Sequence, residues 1–199
     1  GPLNIAITVM GDLPQGQSIL RNGAQIGDDL YVSGHLGDAR LALEAFRGAI
    51  SLPQTVFDAA RLRMELPTPR VALGQALRGI ANAMADISDG LLGDLGHILK
   101  ASRVGAEIEL PLTQTLMQTT DIWDCPADLS MTCILSGGDD YELVFCAPAS
   151  ASAQVNAAAQ ASGTRVTRIG RITESQNLVL LNELGQSVHN PFRSFDHFA

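Results

Sequence analysis

The stretch AMADISDGLLGDLGHILKAS, residues 83–102, changes its hydrophobic period in the middle, and that change decides the fold class. Residues 83–87 read as a short buried strand. From residue 89 to residue 101 the apolar side chains of Leu91, Leu92, Leu95, Ile98 and Leu99 recur at helical spacing and make one face. A strand therefore runs into an amphipathic helix through an acidic turn, Asp86-Ile87-Ser88-Asp89-Gly90.

The same alternation extends outward. Upstream, residues 71–81 and 54–64 read as helices, the latter ended by Pro67 and Pro69, and residues 38–49 carry Leu41, Leu43, Ala45 and Phe46 at helical spacing. Before them comes a short strand at residues 30–33, closed by Gly34, with turns at Asn22-Gly23 and Gly27-Asp28. Residues 3–10, LNIAITVM, form a β-rich run that needs a partner sheet. Downstream, residues 106–110 alternate apolar and acidic as a half-buried strand does, and residues 112–119 read as a short helix. Residues 131–135 and 141–146 read as strands flanking Ser-Gly-Gly-Asp-Asp. An Ala-rich helix is expected over 150–161, and strands over 165–172 and 178–181. Helices and strands in alternation, without a repeat or a long linker, predict an α/β sandwich.

Composition narrows the function classes. The chain has 199 residues, 46% hydrophobic and 17% charged, which suits a sizeable core. No apolar run approaches the roughly 18 residues of a membrane span, and no basic-then-apolar leader opens the sequence, so the cytoplasm is the default expectation. A net charge of −8 argues against a nucleic-acid partner. It leaves room for a small phosphorylated ligand bridged to carboxylates by Mg²⁺. The three cysteines, Cys125, Cys133 and Cys146, show no CxxC; Cys133 and Cys146 lie in apolar runs and read as core filling. His35, His97 and His189 have no partner at metal-ligand spacing, Trp123 reads as a packing residue, and Lys100 is the sole lysine.

Two acidic turns carry the chemistry. In the first, Asp86, Ser88 and Asp89 put two carboxylates and a hydroxyl at the start of a helix, where backbone N–H groups favour anions. Mg²⁺ takes one or two carboxylates plus phosphate and water, so metal and helix end together would cradle a triphosphate. The plain alternative is that Ser88 or Asp89 is an N-cap. The second turn is Ser136-Gly137-Gly138-Asp139-Asp140-Tyr141-Glu142. Its paired glycines permit positive φ and close approach to a ligand, and its paired carboxylates repel unless exposed, protonated or bound to a cation or donor. The plain alternative is an ordinary hairpin turn.

Taken in order, RNGAQIGDDLYVSGHLGDA (residues 21–39), ADISDGLLGDLGHILKAS (85–102), LSGGDDYELVF (135–145) and the tail FDHF (195–198) carry a resemblance. The sequence is similar to the thiamine-monophosphate kinase family of the aminoimidazole-ribonucleotide-synthetase-like superfamily. That likeness implies an N-terminal ferredoxin-like domain that pairs with its twin in a homodimer, a larger C-terminal α/β domain, and an active site between the two. On it, residues 1–14 are expected to hold the last strand of an otherwise missing N-terminal ATP-binding domain, and residues 15–199 the C-terminal α/β domain. The implied reaction is ATP-dependent phosphorylation of thiamine monophosphate to thiamine diphosphate with Mg²⁺, and this chain alone is expected to have little activity. Residue by residue, the likeness makes Asp86 and Asp89 metal ligands, Ser88 and Arg21 nucleotide contacts, and Asp139 and Phe195 substrate contacts. Asp139 stands where many relatives carry a longer glutamate. Phe195 falls where an aromatic ring stacks on thiamine. Two other readings stay open: a sibling ATP-dependent synthetase, such as one making selenophosphate, or a non-catalytic, ligand-binding or self-associating fragment.

Overall fold

A computed structural model describes residues 2–192. Among them, seven strands form one sheet in the order β2-β4-β1-β5-β3-β6-β7. The strands are β1 (Asp28–Ser33), β2 (Ala83–Ile87), β3 (Gly105–Glu109), β4 (Glu142–Pro148), β5 (Val166–Thr173), β6 (Leu178–Leu181) and β7 (Ser187–Val188). The helices are α1 (Asp38–Phe46), α2 (Gln54–Glu65), α3 (Val71–Ala76), α4 (Leu91–Ser102), α5 (Leu110–Thr113), α6 (Ala127–Ser136) and α7 (Ser152–Ser162). Among the described pairings β3 and β6 run parallel and the others antiparallel.

Strand periodicity sorts side chains onto two faces. Leu30 and Val32 of β1, Ala83, Ala85 and Ile87 of β2, and Val144 and Cys146 of β4 point into the larger core. There they meet Leu41 of α1, Val56 of α2, Leu95 and Ile98 of α4, and Ile134 of α6. Tyr31 and Phe145 point to the opposite face, where their rings stack at 5.2 Å between centroids and 13° between planes. Leu73 of α3 and Val155 of α7 cover them. Helices on both faces of a sheet are the α/β architecture the sequence pattern predicts.

Four expectations of secondary structure are corrected. Residues 131–135 are helical, inside α6, and so the Ser-Gly-Gly-Asp-Asp segment joins a helix to a strand and is no hairpin turn. An apolar run of five residues fits a buried helix as well as a strand. Here Thr132 and Ser136 donate their hydroxyls to carbonyls four residues back, Asp128 and Thr132, which only a helix allows. Residues 3–10 take no strand pairing, and Leu3, Ile5, Ile7, Val9 and Met10 are 73–91% exposed; extended chain becomes strand only beside a partner. The helix expected over 112–119 breaks into α5 and two 3₁₀ turns, Gln114–Leu116 and Gln118–Asp121. The helix expected over 71–81 stops at Ala76, before Gly79 takes a φ of 75°.

Candidate ligand site at two acidic turns

Strand pairing brings the two acidic turns together. Ile87, at the end of β2, is the register partner of Glu142, at the start of β4. The chain leaving β2 and the chain entering β4 therefore run side by side. Asp139 N–H donates to the Ser88 carbonyl at 2.9 Å and Tyr141 N–H to the Ile87 carbonyl at 3.1 Å.

Glycine makes the approach possible, but not in the way the dipeptide suggests. Gly137 has a φ of −77°, and the left-handed conformations fall on Asp139 (φ 69°) and Tyr141 (φ 52°). What Gly137 and Gly138 supply is the missing Cβ. A Cβ on Gly138 would lie 2.4 Å from the Ser88 carbonyl oxygen, and one on Gly137 would lie 2.7 Å from Arg40 Cβ. Gly90, with φ 126°, faces the Ser136 backbone in the same way.

The first turn is held from within α4. Asp94 Oδ2 accepts the backbone N–H groups of Ser88, Asp89 and Gly90 at 2.9, 3.0 and 3.1 Å. This corrects the capping reading of the turn. The cap residue of α4 is Gly90, which makes no side-chain cap, so neither Ser88 nor Asp89 has that role. The three N–H groups that Asp94 holds precede the helix, whose first turn begins at Leu91. Asp94 is 5% exposed, and burial raises its carboxyl above the usual range although three N–H donors pull it down.

The second turn divides its acids by direction. Asp140 points inward and accepts the N–H groups of Gly37, at 2.7 Å, and Ala39, at 3.3 Å, at the start of α1. Full burial pushes it up to about 8. Glu142, also buried, accepts from Ser33 Oγ at 2.6 Å, from Arg63 at 2.8 Å and from Nε and Nη2 of Arg70. Asp139 and Tyr141 point outward. The phenol of Tyr141 is raised chiefly by burial, then by the Asp139 carboxylate, with smaller contributions from Asp89 and Asp86, so these acids share one neighbourhood.

Ser88, Asp89, Gly138 and Asp139 line one small cavity of about 140 Å³ together with Arg40, Leu43 and Arg47 of the α1 segment. Three of the residues expected at a site thus converge. Asp86 is not in that lining; it sits on β2, 3.9 Å from Arg21, and both side chains are more than half exposed. Solvent screening makes such a contact worth about 0–1 kcal/mol at most. Phe195 lies outside the described residues. The sequence reading missed Arg40 and Arg47, whose signal is their seven-residue spacing on a helix face, and Asp94, an acid in the first turn of α4.

Among the described residues no group of three or more His, Cys, Asp or Glu side chains could hold a metal ion by itself. The exposed Asp86 and the half-buried Asp89 still fit Mg²⁺, which completes its shell with phosphate oxygens and water when the protein offers one or two acids. Cysteine chemistry has no place here: Cys133 and Cys146 are buried and burial drives both thiols up, Cys133 to about 12. Trp123 packs against the larger core. No described helix is long and apolar enough to cross a membrane.

Residues 25–181 match the family model "AIR synthase related protein, C-terminal domain". The thiamine-monophosphate kinase of Escherichia coli (strain K12) is 34% identical over 204 residues, across 100% of this chain and 61% of that protein. The chain thus spans about three fifths of such relatives. A crystal structure of thiamine-monophosphate kinase from Stenotrophomonas maltophilia K279a superposes with a TM-score of 0.77 at 38% identity, covering 88% of this chain and 56% of that one. AaThiL complexed with AMPPCP and TMP superposes with a TM-score of 0.66 at 28% identity, covering 90% of this chain and 54% of that one.

Proposed function

Because the chain belongs to the AIR synthase related protein family through that C-terminal domain, we propose that it serves as the C-terminal α/β domain of a thiamine-monophosphate kinase. The reaction is transfer of the γ-phosphoryl group of ATP to the phosphate of thiamine monophosphate. The observation that carries the reading is the convergence of Ser88, Asp89 and Asp139 in one cavity; Arg21 pairs with Asp86, two residues before Ser88.

The nucleophile is already an anion, so no strong base is needed, and the obstacle is repulsion between two phosphorylated molecules. Mg²⁺ held by Asp86 and Asp89 would supply the neutralising charge. The chain's own groups position the reactants. Arg21 offers two parallel N–H donors to a phosphate, Ser88 offers a hydroxyl, and Asp139 accepts from the thiamine moiety. Phe195 supplies a stacking face for the same moiety. On this reading residues 15–199 form the C-terminal α/β domain, and residues 1–14 lead in from an ATP-binding domain. The domain partner and a homodimer complete the site in the cytoplasm. The test is Mg²⁺- and ATP-dependent formation of thiamine diphosphate by this chain and by the longer polypeptide of its source gene. Product from the longer form is expected; none from either, with selenide or another acceptor consumed instead, moves the reading to a sibling synthetase.

A second reading has its own observation. Leu3, Ile5, Ile7, Val9 and Met10 are 73–91% exposed, so the chain by itself is a candidate for self-association. Sedimentation of the chain with and without residues 1–14 separates this from catalysis.

A further inference from the structure

The cavity between the acidic turns has one wall of opposite charge. Arg40, Leu43 and Arg47 face Ser88, Asp89, Gly138 and Asp139 across it. A protein of net charge −8 does not place two arginines at one cavity through a generally basic surface. One carboxylate serves both of them: Glu44 Oε1 lies 2.7 Å from Arg40 Nε and 3.5 Å from Arg47 Nη1. Two guanidiniums on one carboxylate leave this wall with a net positive charge. The closer pair is also misaligned, because Arg40 Nε is buried and makes no hydrogen bond, to Glu44 or to any other group. A buried donor without an acceptor is destabilising until something supplies one. Gly137 sets the distance. Its missing Cβ lets the second turn pack directly against Arg40 Cβ.

We infer that Arg40 and Arg47 form an anion-binding wall that takes a phosphoryl group. The chemistry fits the guanidinium, which stays charged at any working pH and donates in parallel pairs to phosphate oxygens. The size fits as well. About 140 Å³ holds a group of a few heavy atoms, given roughly 30 Å³ for one water, and leaves a nucleoside outside. The wall deepens the kinase reading by naming what binds on the α1 side. As an anion site it stands on Arg40, Arg47 and Glu44 alone. Glu44 acts here as an internal competitor that a phosphoryl group displaces.

Thiamine monophosphate and ATP both carry such a group, and calorimetric titration with each, in Mg²⁺, tells them apart. Inorganic phosphate and unphosphorylated thiamine are the further probes. Arg40→Gln with Arg47→Gln should weaken the phosphorylated probes tenfold or more, leave thiamine unchanged and shift the thermal midpoint by only a few degrees. Glu44→Gln should tighten inorganic phosphate threefold or more, because it frees both guanidiniums. An unchanged affinity in the double variant, no binding of any phosphorylated probe by the parent chain, or a loss of affinity in Glu44→Gln equal to that in the arginine variant would each overturn the inference. The last would mark a purely structural ion pair. Thiamine diphosphate made by the longer polypeptide with the same KM values in the arginine variant removes the wall and keeps the kinase. Arginine-dependent phosphate binding without any turnover removes the kinase and keeps the wall.

Discussion

The turn at residues 86–90 and the turn at residues 136–142 are both short, acidic and glycine-containing, and they are built on opposite plans. The first keeps its own acids at the surface and borrows an anchor: Asp94, four residues beyond Gly90, accepts three of its backbone N–H groups. The second anchors itself. Asp140 and Glu142 turn inward to α1 and to Arg63 and Arg70, while Asp139 and Tyr141 turn outward. An acidic residue in a turn is therefore not a ligand by virtue of its charge. Whether it faces a buried donor or the cavity decides its work.

The largest effect that would break this contrast is at Glu142. Glu142→Ala leaves two arginines without their shared buried partner and should cost about 3–5 kcal/mol in urea unfolding; a cost near zero would mean the second turn is not anchored there. Asp94→Ala strips the acceptor from three N–H groups and should cost about 1–3 kcal/mol while loosening Ser88 and Asp89. Affinity for Mg²⁺ with phosphate should fall with it, so stability lost without affinity would separate the anchor from the site. Gly138→Ala pushes a methyl into the Ser88 carbonyl and should cost a similar 1–3 kcal/mol. A structure of that variant should show the turns parted.

A smaller effect follows from Asp140. Its carboxyl is raised to about 8 in the folded protein against roughly 4 in an unfolded chain. The folded state then holds the proton more tightly, so its contribution to stability is full below about pH 4 and declines as pH rises toward 8. Thermal midpoints across pH 5–8 should fall, and Asp140→Asn should flatten that slope. The smallest expected effect on stability is at Asp139. Asp139→Asn should change unfolding by less than about 0.5 kcal/mol, as surface substitutions do. Its consequence should be confined to ligand binding.

Most of the fold was legible because it rests on local periodicity. The strand-turn-helix unit at β2 and α4, the helix over residues 54–64 and the strand at β5 all announce themselves by which positions are apolar. The failures have one physical cause. The run Met131 to Leu135 is apolar but for Thr132 and too short to show a period, so only its surroundings, with core on its inner side and hydroxyls turned back onto the helix, settle it as α6. Residues 3–10 have strand chemistry and no neighbour to pair with among the described residues. In the site, the two acidic motifs were legible as motifs. Arg40, Arg47 and Asp94 were not, because a charged residue on a helix usually faces water.

The sequence by itself determined the alternation of helix and strand, the two acidic turns, the inert cysteines and the family likeness, since each depends on residue type and short spacing. Only the tertiary structure decided which acids are anchors and which line the cavity. That choice depends on the pairing of β2 with β4 and on the packing of α1 against Gly137. These contacts join residues about 50 to 100 positions apart in the chain, and no short-range pattern encodes them.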